Sequence, residues 1–153
     1  MKARMNPFAV APEAVNLMLE FSKKVEALGL EPSLRELVKI RSSQINGCAN
    51  CIHMHTRDAR AQGETEERIY LLDGWRESSL YTDRERAALA WTESLTLISE
   101  THAADEDYAA LKPHFTEEEI VKLTLMIGVI NTWNRIAMGF RAQHPVTPRS
   151  EAA

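Results

Sequence analysis

Apolar and polar residues recur along most of this chain with the period of an α-helix. In the first such segment, Pro12 to Leu28, apolar residues such as Val15, Leu19 and Val25 stand among charged neighbours. Pro12 suits the first turn of a helix, and Gly29 suits its end. No segment shows the alternation of a strand, so the pattern predicts an all-α protein.

Glycines and capping motifs predict where the other helices begin and end. In a capping box, a Ser or Thr and a Glu three residues later bond to the free N–H groups of a helix start. Three such pairs occur, at Ser33 and Glu36, Thr82 and Glu85, and Thr116 and Glu119. These signals predict a single-domain bundle of about six to seven helices, with a core of about residues 12–140. The expected helices are 12–28, 33–46, 48–62, 65–72, 82–99, 106–111 and 116–138; the ends, about 1–10 and 144–153, are expected to be arms.

The last predicted helix is apolar nearly all round. Residues 120–130 read Ile-Val-Lys-Leu-Thr-Leu-Met-Ile-Gly-Val-Ile. A small domain covers only one side of such a helix, so it is either a central helix wrapped by its own chain or a helix that meets a second subunit. We expect a homo-oligomer in which Met126 or Val129 faces the neighbouring subunit.

Composition narrows the class of protein. A chain of 153 residues that is 44% hydrophobic and 26% charged fits one globular domain. With 18 Lys+Arg against 22 Asp+Glu and no basic block, nucleic acid is a poor partner. Because we find no apolar segment long enough for a signal peptide or a membrane helix, we expect no membrane partner and a cytoplasmic location. In a reducing cytoplasm, two close cysteines are more often catalytic or metal-binding than a structural staple.

The only two cysteines fall in the segment Cys48-Ala-Asn-Cys51-Ile-His53-Met-His55. If this segment is helical, steps of roughly 100° per residue place Cys48, Cys51 and His55 on one face. His53 points the other way and is expected to face solvent. A cysteine pair with a histidine one turn away is an arrangement for thiol chemistry.

A thiol reacts as its thiolate, and two features of this segment favour the anion. The N-terminal end of a helix favours the thiolate of Cys48, whereas proton acceptance by His55 favours that of Cys51. We favour Cys51 as the attacking residue and Cys48 as the resolving thiol. The opposite assignment stays open.

Glu36 has two possible roles. It is the last member of its capping box, so it can bond back to the start of its own helix. It can also orient His55 or take up its proton.

Zinc binding is a rival to thiol chemistry, because Cys48, Cys51, His55 and Glu36 are four possible ligands. Three ligands on one helix face fit a tetrahedral ion poorly and the chain has no second cysteine pair, so we predict no metal and no cofactor.

The spacing of these residues resembles that of the alkylhydroperoxidase AhpD-like proteins of the carboxymuconolactone decarboxylase family. The matching features are Glu36, Cys48-x2-Cys51-x3-His55, the stop at Gly63 and a later Asn131-x2-Asn134-Arg135. The resemblance implies an all-helical fold assembled as trimers or hexamers, and a thiol peroxidase whose cysteine pair reduces a hydroperoxide and cycles through a disulfide. An external thiol or a protein adaptor would then be the reductant, and Cys48, Cys51, His55 and Glu36 the redox pair and its proton relay.

The resemblance does not extend to one residue. Alkylhydroperoxidases of the family carry a further histidine immediately before the second cysteine, where this chain has Asn50. Two other functions remain open: a cofactor-free decarboxylase-like lyase that uses Glu36 and His55 as acid and base, and a non-enzymatic helical oligomer that responds to redox state or metal. The decarboxylases of the family usually lack the cysteine pair, which favours the peroxidase.

Overall fold

Helices make up most of residues 2–146, the part of the chain that the computed structural model describes. They are α1 (Pro7–Val10), α2 (Pro12–Glu26), α3 (Pro32–Asn46), α4 (Ala49–Ala61), α5 (Glu66–Tyr70), α6 (Asp83–Thr96), α7 (Ile98–Thr101), α8 (Asp105–Leu111) and α9 (Glu117–Phe140), with a 3₁₀ turn at Leu72–Gly74. Because this part of the chain contains no strand, the predicted all-α class is confirmed.

Two of the three predicted capping boxes are present. Thr82 with Glu85 opens α6, and Thr116 with Glu119 opens α9. The segment predicted as one helix over 82–99 is divided at Leu97, which joins α6 to α7. Local signals therefore set the starts of these helices more accurately than their ends.

The capping box predicted at Ser33 and Glu36 is wrong. Helix α3 begins one residue earlier, at Pro32, and its N-cap residue Glu31 makes no side-chain bond to the helix. Proline suits the first turn because it has no N–H group that would need a partner. The carboxylate of Glu36 bonds to Lys39 and His55 instead.

Helix α3 lies at the centre of the bundle and contacts α4, α6 and α9. Its buried face includes Leu37, Val38 and Ile40, which are 0% exposed. On α9, Met126 is 0% and Val129 3% exposed within this single chain. The expectation that one of them faces a neighbouring subunit is therefore wrong, because both pack into the core of their own chain.

Among the described residues, no helix has the length and apolar character that a membrane span requires.

The N-terminal segment is packed against the end of α9 rather than extending as an arm. The backbone N–H of Arg4 donates to the carbonyl of Phe140 at 3.0 Å, and its guanidinium donates to the carbonyl of Gly139 at 2.8 Å. The ring of Phe8 stacks on Trp133 with centroids 6.4 Å apart. Of the predicted C-terminal arm, residues 147–153 lie outside the described part, as does Met1.

Candidate thiol active site

The turn between α3 and α4 places both cysteines at a helix N-terminus. Gly47 ends α3 in the left-handed conformation, with φ 72° and ψ 28°. Cys48 is the N-cap residue of α4, and its backbone N–H donates to the carbonyl of Ser43 at 2.9 Å. Cys51 lies in the first turn of the same helix. Both sulfurs therefore belong to the end of α4 where N–H groups and the helix dipole favour an anion.

Cys48 and Cys51 are joined in a disulfide, with their Cα atoms 5.3 Å apart. The two residues are 1% and 2% exposed. The buried residues of α4 are Cys51, His55 and Ala59, so the helix face predicted for the site is the one that packs inward. The chain can thus form and hold the oxidised state of a dithiol pair.

His55 is hydrogen-bonded to Glu36 across the α3–α4 contact. The His55 Nδ1 and the Glu36 Oε2 are 3.0 Å apart, and the two residues are 7% and 4% exposed. With the carboxylate as acceptor, Nδ1 carries the proton and Nε2 is left to accept one. Of the two roles open to Glu36, the contact made is the one that orients His55.

The other Glu36 oxygen, Oε1, accepts a hydrogen bond from the buried ammonium of Lys39 at 2.9 Å. Burial raises the pKa of Glu36, but the hydrogen bonds from His55 and Lys39 and the charge of Lys39 outweigh burial, so this pKa is lowered. Our sequence reasoning missed Lys39, since a lysine in a helix is usually a surface residue. Its one signal was its position three residues after Glu36, on the same helix face.

The site has the residues for a metal ion but not a favourable arrangement. Glu36, His55 and Asp58 have ligand atoms within 4.8 Å of one another. However, both Glu36 oxygens are already hydrogen-bonded, and the Lys39 ammonium beside them would repel a cation. The cysteines that could have completed a zinc site are bonded to each other. The donor set therefore fits an acid–base pair better than a metal centre.

His53 does not face open solvent, contrary to the prediction. It is half-buried, and its ring stacks on that of His144 with centroids 5.2 Å apart. Its Nε2 is buried without a hydrogen-bond partner among the described residues. The reason for the error is that the segment after α9 returns across α4, a contact that helical periodicity does not reveal.

A network of side-chain amides, two of them buried, connects the turn before Cys48 to α9. The Asn46 side chain donates to Asn131 Oδ1 at 3.0 Å and to Asn134 Oδ1 at 2.8 Å. Asn134 in turn donates to Ser43 Oγ at 3.0 Å. The sequence singled out Asn131 and Asn134 only through the family resemblance, and the structure gives them a physical role: they hold the end of α3, and so the start of α4, in place.

A cavity of about 930 Å³ reaches the hydrogen-bonded side chains of Glu36 and His55. Its lining contains Glu36 and His55 together with Asn50, and otherwise many apolar and aromatic side chains from α1, α2 and α9: Phe8, Leu19, Trp133, Ile136 and Phe140. A volume of this size accommodates a small organic molecule. Neither cysteine lines it, so the cavity reaches the histidine side of the site rather than the sulfurs.

Comparison with known sequences identifies relatives of this chain. Residues 12–94 match the model of the carboxymuconolactone decarboxylase family. The uncharacterized protein YdfG of Bacillus subtilis is 46% identical over 144 residues, which cover 93% of this chain and 98% of that protein.

Solved structures extend the similarity to the fold. A crystal structure from Agrobacterium tumefaciens, of a protein of unknown function with the provisional name antioxidant defence protein AhpD, is 48% identical. It has a TM-score of 0.94 and covers 95% of this chain and 100% of that chain. The debrominase Bmp8 is 21% identical with a TM-score of 0.78, covering 86% of this chain and 71% of that chain, and so shares the fold.

Proposed function

Since the chain belongs to the carboxymuconolactone decarboxylase family and is AhpD-like, we propose that it is a thiol-dependent peroxidase whose Cys48 and Cys51 cycle between dithiol and disulfide. One observation carries the proposal. Cys48 at the N-cap and Cys51 in the first turn of α4 form a disulfide, and Cys51 lies one turn before a histidine that a buried carboxylate orients. This set combines a redox couple with a proton acceptor.

The proposed reaction begins with the reduced pair. His55 Nε2 accepts the thiol proton of Cys51, and the thiolate attacks the terminal oxygen of a hydroperoxide. An S–O bond forms as the O–O bond breaks, and the leaving alkoxide takes the proton from His55. Cys48 then attacks the Cys51 sulfenic acid, which releases water and forms the disulfide. The hydroperoxide is thereby reduced by two electrons to an alcohol, and two electrons from an external thiol restore the dithiol.

The cavity favours an organic hydroperoxide over hydrogen peroxide. Hydrogen peroxide needs no apolar wall, whereas the cavity beside His55 is lined by rings such as Phe8 and Trp133. Burial of the organic group against these rings would hold its peroxide end near His55. We expect the substitution Trp133→Ala to raise the KM for cumene hydroperoxide while that for hydrogen peroxide stays within about twofold. Equal changes for the two peroxides would remove the cavity from the proposal.

We also propose a homo-oligomer, a trimer or hexamer, in the cytoplasm, where thiol reductants are abundant. Support for the assembly comes from the outer surfaces of α2 and α9. Leu17 is 71%, Phe21 46% and Val121 59% exposed in the single chain. Exposed apolar side chains of this size on two helices that contact each other are ones that a closed assembly would cover.

The central test is a thiol titration of the purified, reduced protein before and after one equivalent of cumene hydroperoxide, with metal analysis on the same sample. We expect both thiols to disappear together in metal-free protein, leaving an intramolecular disulfide. Stoichiometric zinc, or thiols that survive excess peroxide, would overturn the proposal. Unreactive thiols would leave a lyase that uses the Glu36–His55 pair as the remaining candidate.

Single variants then assign the roles. In Cys48→Ser, a sulfenic acid trapped by dimedone on Cys51 would support Cys51 as the attacking residue. If dimedone instead traps a sulfenic acid only on Cys48, in Cys51→Ser, then Cys48 is the attacking residue. His55→Asn is expected to slow thiol oxidation about a hundredfold or more, as loss of a general base does. His53→Asn is the matched control, two residues away on the same helix, and should stay near the wild-type rate.

A further inference from the structure

Lys39 is a buried cation that the proposed reaction does not use. The residue is 6% exposed, and its ammonium bonds to carboxylates from two helices: Glu36 on α3 at 2.9 Å and Glu26 on α2 at 2.5 Å. Burying an ammonium is costly unless it is paired and hydrogen-bonded. Lys39 lines the same cavity as Glu36 and His55, so a role in this site would explain its burial.

Lys39 and His55 compete for the same negative charge. The ammonium bonds to Oε1 of Glu36 and the imidazole to Oε2, so one carboxylate lies between the two groups. If Lys39 were absent, the buried Glu36 carboxylate would have to find its countercharge elsewhere. The nearest group able to supply one is His55, which would take up a proton and become imidazolium.

We propose that Lys39 is a positioning residue: it holds Glu36 as a carboxylate with one oxygen turned to His55, and it supplies the countercharge that this buried carboxylate would otherwise draw from His55. A neutral imidazole is the form that can accept the thiol proton. The catalytic importance of this state rests on the proposed function, whereas the arrangement of charges does not.

The other charged groups around the pair fit this assignment. Glu26 is on the far side of Lys39, and its side chain is 42% exposed, so solvent screens it. On α4, Asp58 Oδ2 is 4.0 Å from His55 Nδ1, and the Asp58 side chain is 54% exposed. The residues that α9 contributes to the cavity lining are uncharged. Arg35 also lines the cavity, but its guanidinium donates to the backbone carbonyl of Glu26. Among the described residues, Lys39 is the cation whose side chain forms an ion pair with Glu36.

The test follows protonation of His55 in the reduced protein by NMR of its ring protons, assigned with the variant His55→Asn. Lys39→Met removes the charge while keeping most of the side-chain length, and we expect the midpoint of imidazole protonation to rise by about one pH unit. Lys39→Arg should restore a midpoint near that of the wild type. Lys112→Met removes the same charge from an exposed position on another face and should move the midpoint little.

A second variant keeps the test decisive if Lys39→Met does not fold. Glu26→Gln removes the partly exposed carboxylate that shares the ammonium, so the midpoint of His55 should fall by a few tenths of a pH unit. A rise in Lys39→Met supports the proposal, as does a fall in Glu26→Gln where Lys39→Met does not fold. A midpoint that does not rise in a folded Lys39→Met or, where that variant does not fold, does not fall in Glu26→Gln would overturn it.

These measurements need no peroxide, so they separate this inference from the proposed function. Where peroxide is reduced, the acidic limb of the pH profile of kcat/KM should move with the midpoint of His55. If the midpoints shift as expected in a protein that does not reduce peroxide, Lys39 keeps its role and the peroxidase proposal fails. If peroxide is reduced while the midpoint of His55 does not respond to either variant, the role of Lys39 fails alone.

Discussion

Asn134 offers a sharp test of how the fold holds the first cysteine in place. The residue is 1% exposed; it accepts a hydrogen bond from Asn46 and donates one to Ser43, on the segment that leads into Cys48. The substitution Asn134→Ala removes both bonds without adding volume. We expect the folded protein to become less stable and the turn before α4 to loosen.

The size of the loss in stability depends on which hydrogen bonds Asn46 and Ser43 retain in the variant. Asn46 still donates to Asn131, and the Ser43 hydroxyl still donates to the carbonyl of Lys39 at 2.7 Å, so neither partner loses every bond. Two neutral hydrogen bonds contribute about 1–3 kcal/mol together. The small void costs about 0.5 kcal/mol more, and the better helix propensity of alanine offsets a similar amount. The net loss in unfolding free energy is therefore about 1–3 kcal/mol.

Urea denaturation measures this loss, and amide exchange locates it. With an m-value of about 2 kcal/mol/M, the urea midpoint should fall by about 0.5–1.5 M. The Cys48 amide, which donates to Ser43, should lose more protection than amides in the middle of α9. Thr132→Ala is the control, because Thr132 is exposed and its hydroxyl bonds only to its own helix. Equal midpoints for the two variants, or a uniform loss of protection, would refute the anchoring role.

Three further predictions concern the turn, the pH dependence and the assembly. Gly47→Ala should lower the free energy of unfolding by about 1–2 kcal/mol, because its φ of 72° is unfavourable for a residue with a Cβ. An added Cβ would meet nothing within 4 Å, so the loss is conformational rather than steric. An unchanged urea midpoint would contradict this prediction. Bonds from the Thr116 backbone and Arg84 lower the pKa of Glu119 to about 2, and that of Glu36 is also lowered. Their stabilising effect is complete above the unfolded pKa of about 4.5 and is lost as the pH falls below it, so the urea midpoint should be lower at pH 3 than at pH 6. Leu125 is 38% exposed, so we expect Leu125→Lys to dissociate the oligomer, as measured by light scattering, while the helix content stays intact. Met126 is 0% exposed, so Met126→Lys should instead unfold the chain. A wild-type protein that is monomeric would refute the interface.

The sequence predicted what local chemistry determines. Helix starts at Thr82 and Thr116 followed from capping boxes, because both partners of such a bond lie within one turn. The same motif failed at Ser33, where the glutamate instead bonds to Lys39 and to His55 on the next helix. A pattern read along one helix does not show which neighbour will take its polar side chains.

The other errors of the sequence-based predictions have the same cause. His53 meets His144 from the segment after α9, and Met126 is covered by helices that are distant in sequence. The position of Lys39, three residues after Glu36, does not predict its burial, which depends on the packing of α2, α3 and α4 and on the second carboxylate, Glu26. Contacts between helices set the electrostatics of this site, whereas spacing within one helix set its cysteine–histidine geometry.

The burial of the disulfide affects how the bond can be reduced. A thiol reduces a disulfide by approaching one sulfur along the S–S axis, and here the two cysteines are 1% and 2% exposed. An abundant small thiol in the surroundings therefore meets the bond only when the first turn of α4 opens, and the frequency of that opening limits the exchange. Exchange between this disulfide and small thiols in solution is therefore slow, so the oxidation state of the pair need not follow the redox potential that those thiols set. Under the proposed function, electrons would pass preferentially from a donor that can itself open that turn, so access to the disulfide, rather than driving force, would select the reductant.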